Sequence, residues 1–354
     1  MNGRSDLDFQ GRVCPTPIFD HTKIQLGHGS GGKLTADLVH KLFLPAFSND
    51  YLARLDDQAM LEFNGMRIAF TTDAFVVTPL FFPGGDIGKL AINGTVNDLA
   101  MSGAKPLYIA AAFILEEGLD VVELSRIVDS MRQAAVEAGV QLVTGDTKVV
   151  ERGKGDKMFI TTTGLGILEG PAAISGNSGR PGDKIILSGT IGDHGTAILS
   201  RRENLEFEGS IESDTAPLHG LVAAMCAVSD EIHCMRDPTR GGVATTLNEL
   251  AAASRVGIEI NEQVVPIGES VKGACEILGL DPLYVANEGK LVALVAANDA
   301  GKVIQTMREH PLGRQARIIG EAVLQHPGIV LLKTTIGGTR VLDLPLGEQL
   351  PRIC

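Results

Sequence analysis

Carboxylates at turns and strand ends are the first residues of this 354-residue chain that could do chemistry. Asp56-Asp57 precede an apolar run, Asp73 closes a second one, and Asn97-Asp98 fall in a helical pattern. Gly145-Asp146-Thr147 follow a strand-like run, and Asp237 sits in Arg236-Asp-Pro-Thr-Arg-Gly-Gly242. Such oxygens suit Mg²⁺, a hard cation that shares its ligands with phosphates; the same residues also serve as turn formers and N-caps. Glycine is the second signal, in His28-Gly-Ser-Gly-Gly-Lys33, Pro83-Gly-Gly-Asp86 and Thr239-Arg-Gly-Gly242. Glycines let backbone N–H groups approach phosphate, and a helix start just behind them adds a favourable dipole. None has the spacing of a Walker loop or a dinucleotide fingerprint. The third signal is the ending Leu350-Pro-Arg-Ile-Cys354. A thiol on the last residue of a proline-containing tail is expected to be exposed and mobile, fit to carry a group.

The elements that must position these residues follow from periodicity. Asn64-Gly65 between two apolar runs marks a type I′ hairpin over Ala59 to Thr72. Helices are expected near Asp86 to Gly103 and Val122 to Ala138, the latter with Leu124, Ile127, Val128, Met131 and Ala135 on one face and Gly139 as its stop. Strands at Val140 to Thr144 and Met158 to Ile167 complete an α+β unit over 23–168. The Gly/Pro/Ser-rich stretch 169–183 reads as a linker. A second α+β unit over 184–343 has strands at Lys184 to Ser188, Gly257 to Ile260, Lys290 to Ala296 and Arg317 to Leu324. Its helices are expected at Thr215 to Glu231, Gly242 to Ser254, Gly268 to Leu278 and Ala297 to Arg308. Residues 1–22 read as a poorly ordered arm and 344–354 as a flexible tail.

Composition narrows the function. A net charge of −12 without a basic cluster argues against a nucleic-acid surface. No run approaches the ~20 apolar residues of a membrane span, and the polar start lacks a signal-peptide core, so a cytoplasmic protein is expected. Five cysteines without a CxxC pair read as free thiols, with Cys226 and Cys275 as packing residues.

Together the motifs resemble the ATP-binding family of aminoimidazole ribonucleotide synthetase (PurM-like), selenophosphate synthetase and thiamin-phosphate kinase, over roughly residues 24 to 330. Its shared marks look like Asp56-Asp57, Asp73, Asn97-Asp98 and Gly145-Asp146-Thr147. Longer segments resemble the HypE carbamoyl dehydratases of nickel–iron hydrogenase maturation: Thr72-Asp-Ala-Phe-Val-Val77, Pro79-Leu-Phe-Phe-Pro-Gly-Gly-Asp86, Gly94-Thr-Val-Asn-Asp98, Val143-Thr-Gly-Asp-Thr-Lys148, Ala286-Asn-Glu-Gly289 and Pro351-Arg-Ile-Cys354. The chain departs from that pattern in its longer N-terminal arm.

The resemblance implies two α+β domains of the PurM-like type and a homodimer built from the N-terminal halves, with ATP and Mg²⁺ near the interface. It implies HypF as the carbamoyltransferase partner and an iron-carrying HypC–HypD complex as recipient of cyanide. Cys354 would carry the carbamoyl group, with Glu288 first choice as base and Lys148 as oxygen stabiliser or base. Asp56, Asp73, Asp98, Asp146 and Asp237 would hold metal. ATP contacts fall to His28, Gly29, Gly31, Gly32, Lys33, Asp73, Asn97, Asp98, Asp146, Thr147 and His194, the histidines being equally readable as structural. The rivals are an amide-activating synthetase of the same superfamily, which gives Cys354 no role, and a non-enzymatic scaffold with a docking tail.

Overall fold

The computed structural model describes residues 23–170, 173–205, 210–345, 347 and 352–354; the arm 1–22, with Cys14, lies outside them. Short helical turns, α1 (Lys33–Leu38) and α2 (Leu44–Phe47), lead into a five-stranded sheet. Its strands are β1 (Ala59–Phe63), β2 (Met66–Phe75), β5 (Lys105–Glu116), β6 (Gln141–Val150) and β7 (Met158–Ile167), in the order β1-β2-β7-β5-β6. A small ribbon, β3 (Phe81–Phe82) with β4 (Gly85–Asp86), precedes the helix α3 (Ile87–Ala100). Asn64 and Gly65 adopt the positive φ angles that a two-residue hairpin turn demands, pairing Phe63 with Met66.

Asp86 caps α3, its Oδ1 accepting from the N–H groups of Gly88 and Lys89. Nearly every residue of α3 is buried, because it lies between the sheet and the C-terminal half. Helix α4 (Val121–Ala138) buries Ile127, Met131, Ala134, Ala135 and Ala138 and ends at Gly139 in the left-handed conformation; Val128, expected on that face, is exposed. The helices cover one face of the sheet. The other leaves Phe70, Tyr108 and Ile114 exposed.

The C-terminal half holds a seven-stranded sheet ordered β14-β13-β10-β12-β8-β11-β9. It comprises β8 (Lys184–Leu187), β9 (Ile232–Arg236), β10 (Gly257–Asn261), β11 (Val292–Val295), β12 (Arg317–Val323), β13 (Val330–Lys333) and β14 (Thr339–Val341). Alternate residues serve two cores: Ile185, Leu187, Val292 and Leu294 pack with α7 (Gly242–Ser254), while Ile186, Ala293 and Val295 pack with α6 (His219–Val228) and α9 (Ala297–Glu309). Burial on both faces is why these strands read as unbroken apolar runs. Helices α5 (Asp193–Glu203) and α8 (Glu269–Leu278) pack on each other beside the first core.

Three expectations change. The supposed linker is packed from residue 173 onward: Ile174 is buried, and Ser175 Oγ and Gly176 N–H hold the Asp56 carboxylate at 2.6 and 2.7 Å. The strand expected to stop at Thr144 runs to Val150, because the parallel strand β5, which periodicity did not reveal, extends alongside it to Glu116. Gly145 and Asp146 therefore lie within a strand. Finally, the end of the tail is seated in the protein, with Ile353 at 5% exposure in the core that α3 and α4 share with the N-terminal sheet and α5.

Candidate active site

The segment before β1, strand β2, helix α3, the residue after β9 and the loop at Ala286 to Gly289 bring Asp57, Asp73, Asp98, Asp237 and Glu288 into mutual electrostatic influence. Burial is the largest influence on each, and neighbouring carboxylates add to it at Asp57, Asp98, Asp237 and Glu288. Burial pushes Asp57 up to about 6 against the pull of Arg236. It pushes Asp73 up against Arg240, and drives Asp98, Asp237 and Glu288 well above the usual carboxylate range. The Thr71 hydroxyl lies 2.8 Å from both Asp98 Oδ2 and the Asp57 carbonyl oxygen. A hydroxyl has one proton, so Thr71 donates to one of these two oxygens at a time.

Two arginines answer the charge. Arg236 Nε pairs with Asp57 at 2.9 Å and its Nη1 with Glu249 at 2.7 Å. Arg240 Nη1 donates to the Gly29 carbonyl at 3.1 Å. Neither was singled out in the sequence, although both lie in the 236–242 motif.

Glu288 is held from behind. Asp214 accepts from the N–H groups of Glu288 and Gly289 and from Lys290 Nζ. Asn97 Nδ2 donates to the carbonyls of Ala216 and Glu288, and its Oδ1 accepts from Leu218 N–H. Asn97, expected at the nucleotide, is thus a buried tie between the two halves. The Glu288 Oε1 is buried with no hydrogen-bond partner among the described residues, so a carboxylate oxygen is left available for a proton.

The glycine loop packs on protein. A Cβ on Gly31 would meet the Arg240 carbonyl oxygen at 2.9 Å, and one on Gly32 would meet that of Pro345 at 2.4 Å. Lys33 pairs with Asp343 at 2.8 Å, and the His28 ring caps its own turn through the Gln25 N–H. The loop, Arg240 and the tail enclose a cavity of about 180 Å³ beside Cys354. A larger cleft of about 710 Å³ runs from α1 past Asp56, Asp57 and Asp237 to the start of α7.

The chain end pairs along β2 and beyond. Val76 N–H donates to Cys354 O at 2.9 Å, Thr78 N–H to Arg352 O at 3.2 Å, and Arg352 Nε to Val76 O at 3.1 Å. Arg202 donates to the carbonyls of Thr78 and Arg352, while the Arg352 guanidinium pairs with Asp156. The His194 ring bridges Ser213 Oγ at 2.7 Å and the Ile353 carbonyl at 2.6 Å. A carbonyl only accepts, so Nε2 carries the proton and Nδ1 accepts from Ser213. Burial lowers His194 below its ordinary value, in keeping with a neutral ring. In this structure His194 faces the tail, not an open phosphate site.

Asp146, Thr147 and Lys148 are not part of this cluster. They stand exposed on the edge strand β6, with Lys148 paired to Asp146 at 2.6 Å. Cys226, Cys234 and Cys275 are packed thiols that burial pushes up, Cys234 to about 12.

Comparison with known proteins decides the family. The N-terminal and C-terminal domain models of the AIR synthase related proteins match residues 55–168 and 180–332. The carbamoyl dehydratase HypE of Cupriavidus necator is 57% identical over 333 residues, 94% of this chain and 95% of that protein. This chain belongs to the HypE family of AIR synthase related proteins. Among solved structures, HypE in complex with ATP matches with a TM-score of 0.80 at 48% identity, covering 94% of this chain and all of that one. A HypE–HypF complex matches with a TM-score of 0.83 at 50% identity, covering 87% and 99%. The two α+β domains expected from the motifs are those of the family.

Proposed function

We propose that this protein is an ATP-dependent carbamoyl dehydratase acting on its own Cys354 in the maturation of nickel–iron hydrogenase. The observation that carries the reading is the docking of the chain end on the Val76–Thr78 segment that follows Asp73, with backbone bonds at Ile353 and Cys354 and Arg240 lining the same cavity. HypF loads a carbamoyl group onto the thiol, giving S–C(=O)–NH₂. The amide oxygen attacks the γ-phosphorus of ATP and ADP leaves. Loss of the two N–H protons and departure of phosphate then give S–C≡N. Nothing is oxidised or reduced.

Glu288 takes a proton in this scheme. Burial and acidic neighbours make its carboxylate a stronger base than a solvated one, and matching a base to the working pH is what general-base catalysis needs. Asn97 and Asp214 hold its backbone still.

Mg²⁺ fits the donor set: carboxylates, one buried and three half-buried, whose repulsion a hard divalent cation relieves. Asp57, Asp73, Asp98 and Asp237 would hold it, sharing it with phosphate oxygens. Among the described residues no three such side chains are already gathered for a metal. Asp56 is occupied by Ser175 and Gly176. Bound there, the cation would neutralise charge on the transferred phosphoryl group.

Asp146, Thr147 and Lys148 would join through a second copy of the chain. The bare apolar face of the first sheet and the exposed strand β6 support a homodimer that brings these residues to the partner's ATP. The HypC–HypD complex would receive the cyanide. No described helix is long and apolar enough to cross a membrane, and we place the protein in the cytoplasm.

The test is intact-mass analysis after incubation with HypF and carbamoyl phosphate, then Mg-ATP. A carbamoyl adduct on Cys354 that loses one water only with ATP is the expected result; an adduct unchanged by ATP, or absent, would overturn the reading.

A further inference from the structure

The docked segment 352–354 is held by backbone bonds that any sequence could make, by the burial of Ile353, and by one contact that only a cationic side chain can supply. Thr78 N–H donates to Arg352 O at 3.2 Å and Val76 N–H to Cys354 O at 2.9 Å, so the bonds recur every second residue on both sides. The Ile353 carbonyl between them turns the other way, to His194 Nε2 at 2.6 Å, and Arg202 Nη2 adds a second donor to Arg352 O at 2.8 Å. Every residue has a carbonyl, so none of these bonds distinguishes one residue type from another. The Arg352 side chain does: its Nε donates to Val76 O at 3.1 Å and its Nη1 pairs with the Asp156 carboxylate. Asp156 also accepts from the Thr78 hydroxyl at 3.0 Å. Its own position is fixed by contacts outside the segment, because it lies in the turn between β6 and β7, where the Gly153 and Lys157 N–H groups both donate to the Glu116 carboxylate. Arg352 has a φ of +55°, a left-handed conformation that persists in a non-glycine residue where the surroundings over-determine it. Arg352 is the sole basic residue of 344–354, so no other alignment of the segment offers Asp156 a cation.

We propose that Asp156 is a positioning residue that selects arginine at 352 and thereby sets the register in which the segment docks. The ligand class is a peptide segment with a guanidinium two residues ahead of the thiol. Recognition works as in strand addition, with backbone bonds giving affinity and a side-chain contact giving specificity. Moving the segment by one residue would put the guanidinium where Ile353 is buried, in an apolar core. Moving it by two would leave Asp156 and the Val76 carbonyl without their donor and carry the thiol away from the cavity it lines with Arg240. Arginine suits the place better than lysine, because one planar fork serves the Val76 carbonyl and the Asp156 carboxylate at once. The docking does not rest on the function proposed above; its consequence for water loss does.

The experiment compares full-length chains carrying Asp156→Asn, Arg352→Gln or both with the natural one, by hydrogen exchange over residues 74–80, where the Val76 and Thr78 amides hold the segment. With the Arg352 and Asp156 side chains 30% and 44% exposed, water screens the pair in part, so each single change should speed exchange roughly fivefold, less than a fully buried charged bond would give. The double variant should add little to either, since both changes remove one contact. Arg352→Lys should fall between. Exchanging the charges, Asp156→Arg together with Arg352→Asp, should recover part of the protection that either reversal alone removes, which a general loosening of the turn would not do. Arg352 lies outside every helix and strand, so Arg352→Gln keeps the test valid if changes in the turn unsettle the fold. Natural exchange rates in Asp156→Asn, or fully additive effects of the two single changes, would overturn the assignment. Fast exchange in the natural chain would overturn it too, because the segment would then not dock. ATP-dependent water loss, read by mass on the same chains, separates the two ideas: protection that depends on Asp156 without any water loss sinks only the dehydratase, and water loss with protection indifferent to Asp156 sinks only the positioning role.

Discussion

Titrating the protein without metal probes the acidic cluster directly. A carboxyl group whose folded pKa lies above its unfolded value binds its proton more tightly when folded, so stability is present at low pH and is lost as pH rises through the folded value. For Asp57 the rise from 3.8 to about 6 corresponds to roughly 3 kcal/mol lost between those values. Asp98, Asp237 and Glu288, pushed further up, carry the loss to higher pH. Histidine works the other way. His194, His219, His310 and His326 are all lowered from 6.5, so protonation of the unfolded chain erodes stability as pH falls below that value. Above about pH 6.5 the histidine contribution is complete, and the raised carboxyl groups set the slope over the interval that follows. Urea unfolding in EDTA should therefore show stability declining across that interval, and excess Mg²⁺ with ATP should flatten the decline. Asp98→Asn should flatten it without metal. Stability that is level or rising in EDTA would refute the claim that these carboxyls share an uncompensated site.

Further outcomes follow from the same geometry. Glu288→Gln should accept the carbamoyl group from HypF normally yet lose water ~10²- to 10⁴-fold more slowly, by single-turnover mass analysis. Ile353→Ala removes a buried side chain and should weaken seating of the chain end by ~2–5 kcal/mol, read as faster exchange at residues 74–80 with unchanged global unfolding. Mixed dimers of Lys148→Ala and Cys354→Ala chains should recover water loss that neither variant shows alone; no recovery would place Lys148 outside the partner's site. Arg202→Ala should slow ATP-dependent water loss more than carbamoylation, because Arg202 holds the Arg352 carbonyl rather than the thiol.

Much of the architecture is legible in the sequence because its signals are local. Asn64-Gly65 can hardly do anything but turn a hairpin, Gly139 stops a helix, and period-3.6 patterns place α4, α7 and α9 within a few residues of their ends. The types and positions of Asp56-Asp57, Asp73, Asp98, Asp146 and Asp237 pointed to an acidic phosphate chemistry, the family resemblance added Glu288 as a base, and the last residue pointed to a thiol carrier. Strand β5 escaped, since its run of alanines between larger apolar residues carries no alternation and only its neighbours β6 and β7 make it a strand. Which members of the acidic set meet was decided by tertiary structure. Asp56 went to the 175–176 turn and Asn97 to a tie between halves, because each depends on partners more than 70 residues away, and Asp146 went to an exposed edge strand. The same holds for the tail. Its composition says only that it forms no element of its own; Val76, Arg202, His194 and Asp156, scattered over some 130 residues, are what give it a place.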